Sequence, residues 1–292
     1  MLSWKMWDIS FAIHPSFWIW NAIFGFILYQ PIAGRNAGGD LLTKELLILI
    51  AIWVGCNFLT VIVHEMGHAF TGRVMGQPGE VTLSGLGGQA VGAYLELSPK
   101  QRLLVTFMGP GAGFLFAFFL VAVDGSVWNW CMNWFGTPFW MSLKCNWYLI
   151  DFINPDLHKG HIEDRINEFH IYTIGMMLLF TINLINNIMN LLPIIPMDGG
   201  MLFKEVCVMI WPTAGLKIAF GFSFLLAAGC TIYMLLYVLV KYRVLSKPEL
   251  WYPFALPEFS LIIFGSLAFQ CLAAYQKLSE GERHNEYMQK EE

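Results

Sequence analysis

Apolar residues run in long blocks along this chain, separated by short polar or Gly-rich connections. Blocks at 11–31, 45–69, 102–123, 170–192, 214–240 and 259–275 read as membrane-spanning helices. A helix needs about 20 mostly apolar residues to cross a hydrocarbon layer of about 30 Å. Residues 276–292 are polar and read as a tail. Residues 72–100 are rich in Gly and β-branched residues and predict extended chain rather than helix. "MGPGAG" in the third block predicts a kink or a thinned helix. Residues 124–168 carry Trp128, Trp130, Trp134, Trp140 and Trp147. Trp is enriched at membrane–water interfaces, so this region reads as a partly embedded connection. The expected fold is an all-α membrane protein, one domain over 1–292, with about six spans and a short Gly-rich extended segment near its site.

Composition sharpens this picture. The chain is 57% hydrophobic and 13% charged, about half the charged share of a soluble domain. The net charge of −4 and the lack of a basic run argue against nucleic acid as a partner. The N-terminus lacks the charged region and small-residue cleavage site of a signal peptide, so the first span is expected to be retained. The 17 Lys and Arg divide almost evenly between the two sides and give no orientation. The six cysteines form no CxxC pair. Cys56, Cys207, Cys230 and Cys271 read as small buried hydrophobes. A disulfide between Cys131 and Cys145 stays open.

The second block carries "HEMGH", residues 64–68, where polar groups are most costly. His64 and His68 are four apart and share a helix face. Both imidazoles can therefore reach one ion, for which Zn²⁺ is the usual occupant. Glu65, beside the first ligand, is placed to act as general base on a water. A third ligand is expected from elsewhere, and Asp198 in "PMDGG" is the best candidate, against a plain helix cap. Asn183, Asn186, Asn187 and Asn190 fall on one face of the fourth block. Asn190, nearest Asp198, reads as a donor to a substrate carbonyl oxygen, and the other three read as structural. With the N-terminus inside, the second and fourth blocks run parallel and bring HEMGH and Asp198 to one depth. His14 reads as a surface anchor, and His158, His161 and His170 as solvated loop residues.

HEMGH, "GLGGQ", "GPGAG" and "NLLPIIPMDGG", in this order on apolar blocks, resemble the site-2 protease family of intramembrane zinc metalloproteases, peptidase family M50. "IHPSFWIW" is similar to that family's first span. The resemblance covers about residues 10–205. It implies His64, His68 and Asp198 as ligands of one Zn²⁺ per chain, Glu65 as catalytic base, and Asn190 as the Asn of the Asp-Gly motif. Gly87 and Gly88 match the family's Gly-Gly strand, expected to bind substrate by β-augmentation. It also implies cleavage in or next to the transmembrane segment of a single-span protein, in the bacterial cytoplasmic membrane, with the site toward the cytosol. The lipid bilayer is the other expected partner. Gly113 stands where the family commonly has Asn. No PDZ or CBS domain is expected, so the chain reads as a minimal core.

Other readings compete. A prenyl-protein-processing metalloprotease takes a Glu from a later helix, and Glu205 is the main such acid here. A di-iron desaturase needs about eight histidines in boxes, against seven scattered here. A catalytically inactive or non-enzymatic zinc-binding membrane protein on the same scaffold has no need of Glu65 beside a ligand.

Overall fold

The computed structural model describes residues 1–33, 44–77, 79–85, 87–91, 96–125, 127, 168–242 and 257–291. The Trp-rich connection, the Cys131–Cys145 pair, His158, His161 and the side chain of His170 lie outside them. The described residues form two compact units, Met1–Leu97 with Met108–Ile188, and Ser98–Phe107 with Met189–Glu292.

The first unit begins with strands β1 (Leu2–Met6) and β2 (Ile9–Ile13) and helices α1 (Pro15–Ala33) and α2 (Lys44–Val74). Strands β3 (Glu80–Ser84) and β4 (Gly87–Val91) follow, then helix α3 (Pro99–Val123) from Met108 onward and α4 (Glu168–Asn190) as far as Ile188. The expected first span is corrected at its start, because Phe11, Ala12 and Ile13 belong to β2 and the helix begins only at Pro15. Ile9, Phe11 and Ile13 are buried on one face of β2, and Ala12 is buried as well. Pro15 suits a first helical turn, where its missing N–H costs nothing. Trp7 and Asp8, both at positive φ (52° and 60°), close the β1–β2 hairpin, as a two-residue turn matched to strand twist requires.

The sheet order is β1-β2-β3-β4. β2 pairs parallel with β3, and the other two pairs are antiparallel. Among the described residues β4 is therefore an edge strand. The inner face of the sheet packs Ile9, Phe11, Ile13, Val81 and Leu83 against Phe17 of α1 and Val61 and Ala69 of α2. This seats the sheet on the part of α2 that carries HEMGH. His14 is exposed and donates its backbone N–H to Leu83 O, 2.9 Å, tying α1 to β3. A second cluster joins Cys56 of α2, Ala117 and Leu120 of α3, and Leu178, Leu179 and Phe180 of α4. At Gly67 a Cβ would collide with Met108 O of α3. Lipid offers no hydrophobic drive to press helices together, so close backbone approach at small residues supplies the contact instead.

The second unit holds α5 (Asp198–Ile210), α6 (Gly215–Lys241) and α7 (Pro257–Glu291). Two apolar clusters bind them, one around Ala227, Met234, Phe264 and Ala268 and the other around Cys207, Ala219 and Cys271. The Ser223 hydroxyl of α6 accepts from Ile195 N at 3.3 Å and donates to Pro193 O at 3.2 Å. These bonds fasten the loop before Asp198. Arg102 and Glu205, 3.0 Å apart and largely buried, pair within this unit. α7 runs on to Glu291, so the expected polar tail is helical. Its many Glu, Lys and Gln residues are good helix formers.

Among the described residues, four helices are long and apolar enough to cross a membrane, Leu46–Val74, Pro99–Val123, Gly215–Val240 and Glu258–Gly281, and Pro15–Tyr29 is a shorter apolar helix. Phe118, Phe119, Leu225 and Phe269 are exposed on these helices, where a lipid solvent suits them and water would not.

Gly67→Ala should lower the thermal midpoint of the detergent-purified protein by at least about 3 °C, since overpacking costs roughly 1–3 kcal/mol. Gly55→Ala, with nothing within 4 Å of its Cβ, should be neutral or stabilising. Equal midpoints for the two variants would dismiss the close α2–α3 approach.

Candidate metal centre

HEMGH lies on α2 as the spacing predicts. His64, Glu65 and His68 are buried, at 4%, 6% and 8% exposure. The Nε2 atoms of His64 and His68 stand 3.2 Å apart, with the ring planes at 79°. Two imidazole nitrogens on one tetrahedral Zn²⁺, each about 2.0–2.1 Å from it, would sit about 3.3 Å apart. The spacing of the pair therefore suits a shared ion.

Glycines make room for these side chains. A Cβ on Gly109 would run into the His68 ring at Nε2. A Cβ on Gly88 would come within 2.7 Å of Glu65 Oε1 and 2.8 Å of Val61 Cγ1. β4 thus crosses directly over Glu65, and only Gly fits there. Gly87, paired with Ser84 at the start of β4, has nothing within 4 Å of its Cβ position. The two glycines, alike in sequence, differ in place.

The His64 ring is held from its other side. Its Nδ1 lies 2.9 Å from Asn187 Oδ1, an atom that can only accept, so Nδ1 carries the hydrogen. The lone pair is then on Nε2, the nitrogen that faces His68. Asn183 and Asn187 are both fully buried. Asn186 and Asn190 are half-buried on the same helix. Sequence reasoning treated Asn187 as structural and missed its contact with His64. The spacing could not have singled it out, since Asn186 and Asn190 are four apart just as Asn183 and Asn187 are.

Asp198 is the first residue of α5, and Met197 holds the cap position with no side-chain cap bond. The plain capping role for Asp198 is thus not what the helix shows. Cβ atoms on Gly199 and Gly200 would strike Leu191 O and the Ile194 carbonyl carbon. The glycines let the preceding loop fold back against the start of α5, which fixes where Asp198 emerges. His64 and His68 each offer one ligand atom to a shared ion within the first unit, and Asp198, at the start of α5, is the carboxylate that the sequence supplies as the third donor. Two neutral imidazoles and a carboxylate are a donor set that Zn²⁺ favours, with a fourth position left open.

A sequence model of Peptidase family M50 matches residues 54–229, more than half of the chain. The chain belongs to peptidase family M50. It is an integral membrane protein of a family of zinc metalloproteases. A solved structure, "Site-2 Protease from Methanocaldococcus jannaschii", is similar at 16% identity over 94% of each chain, with a TM-score of 0.48. No curated protein matches the chain.

The crowding at Gly88 gives a test. Gly88→Val should leave zinc content unchanged and slow peptide cleavage at least tenfold by displacing Glu65. Gly87→Ala should stay within about twofold of the parent, as open space permits. Equal rates for Gly88→Val and the parent would show that β4 does not restrain Glu65.

Proposed function

We propose that this member of family M50 is a zinc-dependent endopeptidase that hydrolyses peptide bonds in or next to the transmembrane segment of single-span membrane proteins. The observation that carries the reading is HEMGH on an apolar helix, with both histidines turned to one point and Glu65 buried beside them. His64 and His68 would hold the ion through Nε2 and Asp198 through a carboxylate oxygen. Zn²⁺ bound there supplies a Lewis acid that polarises a carbonyl and acidifies water.

The chain's own residues supply the remainder. Glu65 accepts a proton from the attacking water and returns it to the departing amine. Asn190 donates an N–H to the carbonyl oxygen as charge develops on it. The outer edge of β4 pairs with the substrate backbone, which must be extended because a helix occupies its own carbonyls. The non-enzymatic alternative leaves Glu65 without a purpose. We also place the protein in a bacterial cytoplasmic membrane with the site toward the cytosol and with release of a cytosolic fragment as its regulatory output. The support is the resemblance of the motifs, and thiol labelling of a Ser98→Cys variant from either side of intact vesicles is the test.

Purified protein should hold about one Zn²⁺ per chain, lost in His64→Ala and His68→Ala and weakened in Asp198→Ala, as metal analysis after dialysis would show. Glu65→Gln should keep its zinc yet lose cleavage by several orders of magnitude. Turnover retained by Glu65→Gln would remove Glu65 as base and return the non-enzymatic reading.

The need for an extended backbone makes a second expectation. Replacing Gly, Pro or Asn in a substrate span by Leu should slow cleavage at least tenfold in liposomes, since Gly and Pro disfavour helix by about 1 and 3 kcal/mol. Binding to the Glu65→Gln protein should persist. Equal cleavage of a poly-Leu span would show that unwinding is not the gate.

A further inference from the structure

Three polar groups from two other helices lead to His64, and neither the acid–base chemistry nor the ligand set uses them. Asn183 Nδ2 donates to Gly113 O of α3 at 2.7 Å. Asn187 Nδ2 donates to Asn183 O at 2.6 Å and lies 3.2 Å from Asn183 Oδ1. Asn187 Oδ1 then accepts from His64 Nδ1 at 2.9 Å.

The direction of this chain is fixed at one end. Gly113 O can only accept, so Asn183 must turn its NH₂ toward it and its Oδ1 away. That oxygen can only accept in turn, so Asn187 presents NH₂ to Asn183 and Oδ1 to His64. The His64 ring is left a single role, with hydrogen on Nδ1 and a lone pair on Nε2. Both amides are fully buried, so water does not compete for these bonds. Gly113 is part of the arrangement, because a Cβ there would collide with the Asn187 amide.

We propose that Asn187, aligned by Asn183 and the Gly113 carbonyl, is the positioning residue that fixes His64 as an Nε2 metal ligand. The inference rests on the zinc reading above and deepens it. Metal-bound histidines are generally oriented by a hydrogen-bond acceptor on the other ring nitrogen, and loss of that acceptor typically costs 10–100-fold in metal affinity. The competing role is interhelical glue, in which buried amides join α4 to α2 and α3. Glue predicts lower stability with the zinc affinity of the folded protein unchanged.

Chelator competition on the full chain in detergent separates the two. Asn187→Leu should weaken zinc binding 10–100-fold. Gly113→Ala, which displaces the amide without removing it, should weaken it in the same direction. Asn187→Asp keeps an acceptor for Nδ1–H and should bind zinc within about threefold of the parent, or more tightly. The absorption bands of the Co²⁺-loaded protein should change in Asn187→Leu and remain parent-like in Asn187→Asp. Parent affinity and an unchanged Co²⁺ spectrum in folded Asn187→Leu would overturn the inference and leave the zinc reading standing. A parent protein that takes up no Zn²⁺ would overturn both. Should Asn187→Leu fail to fold, ¹⁵N-histidine spectra of the zinc-loaded parent decide. A hydrogen on His64 Nδ1 supports the inference, and one on Nε2 ends it.

Discussion

Inside a hydrocarbon layer every polar group must find its partner within the protein, because each unsatisfied one costs several kcal/mol. The first unit is arranged around that constraint. α2 buries two imidazoles and a carboxyl group within five residues. An isolated charge there would shift its protonation rather than persist. The neighbouring elements answer with groups of defined direction, the amides of α4 and the backbone carbonyl of Gly113. α3 reaches this depth with Gly109 and Gly113, where side chains would collide with His68 and Asn187. The glycines are therefore not a sign of a loose helix. They are the places where a backbone or a polar group takes the volume of a missing side chain.

That view explains which features the sequence displays and which it hides. The pairing of His64 with His68 is legible because helical periodicity alone puts residues four apart on one face. Asp198 is legible from its chemistry and its place after an apolar block, while the fold-back at Gly199 and Gly200 depends on contacts with Leu191 and Ile194 that periodicity does not encode. Four asparagines on one face look equivalent in sequence. Only tertiary contact separates Asn187, bonded to His64, from Asn183, bonded to α3. Gly87 and Gly88 are hidden in the same way. Their order in a strand says that they face opposite sides, but not that Glu65 lies beneath the second.

The start of the chain shows a different limit. Phe11-Ala12-Ile13 adjoins an apolar helix, and a short apolar run does not distinguish strand from helix. The deciding feature is the turn at Trp7 and Asp8, which takes positive φ without the Asn-Gly or Asp-Gly pair that marks such turns. Once that hairpin forms, β2 supplies the parallel partner for β3. The extended region around Gly85 is thereby anchored to the body of the unit, with Gly85 N donating to Ser16 Oγ at 3.2 Å.

This anchoring bears on how a helical substrate would be opened. Unwinding a span strands peptide groups, and no single side chain of the protein can satisfy a run of them. An edge strand can, since its outward N–H and C=O groups repeat along the chain at the spacing of an extended partner. Among the described residues β4 is such an edge with three strands behind it, and in the proposed reaction these would keep it from yielding as a partner docks. A β4 pulled closer to α2 would press on Glu65, and one held farther away would carry the paired backbone out of its reach. Gly88 sets that separation, because its missing side chain lets the strand pass at contact distance from Glu65. The rigid sheet, the edge it presents and the buried base are thus parts of one geometric requirement.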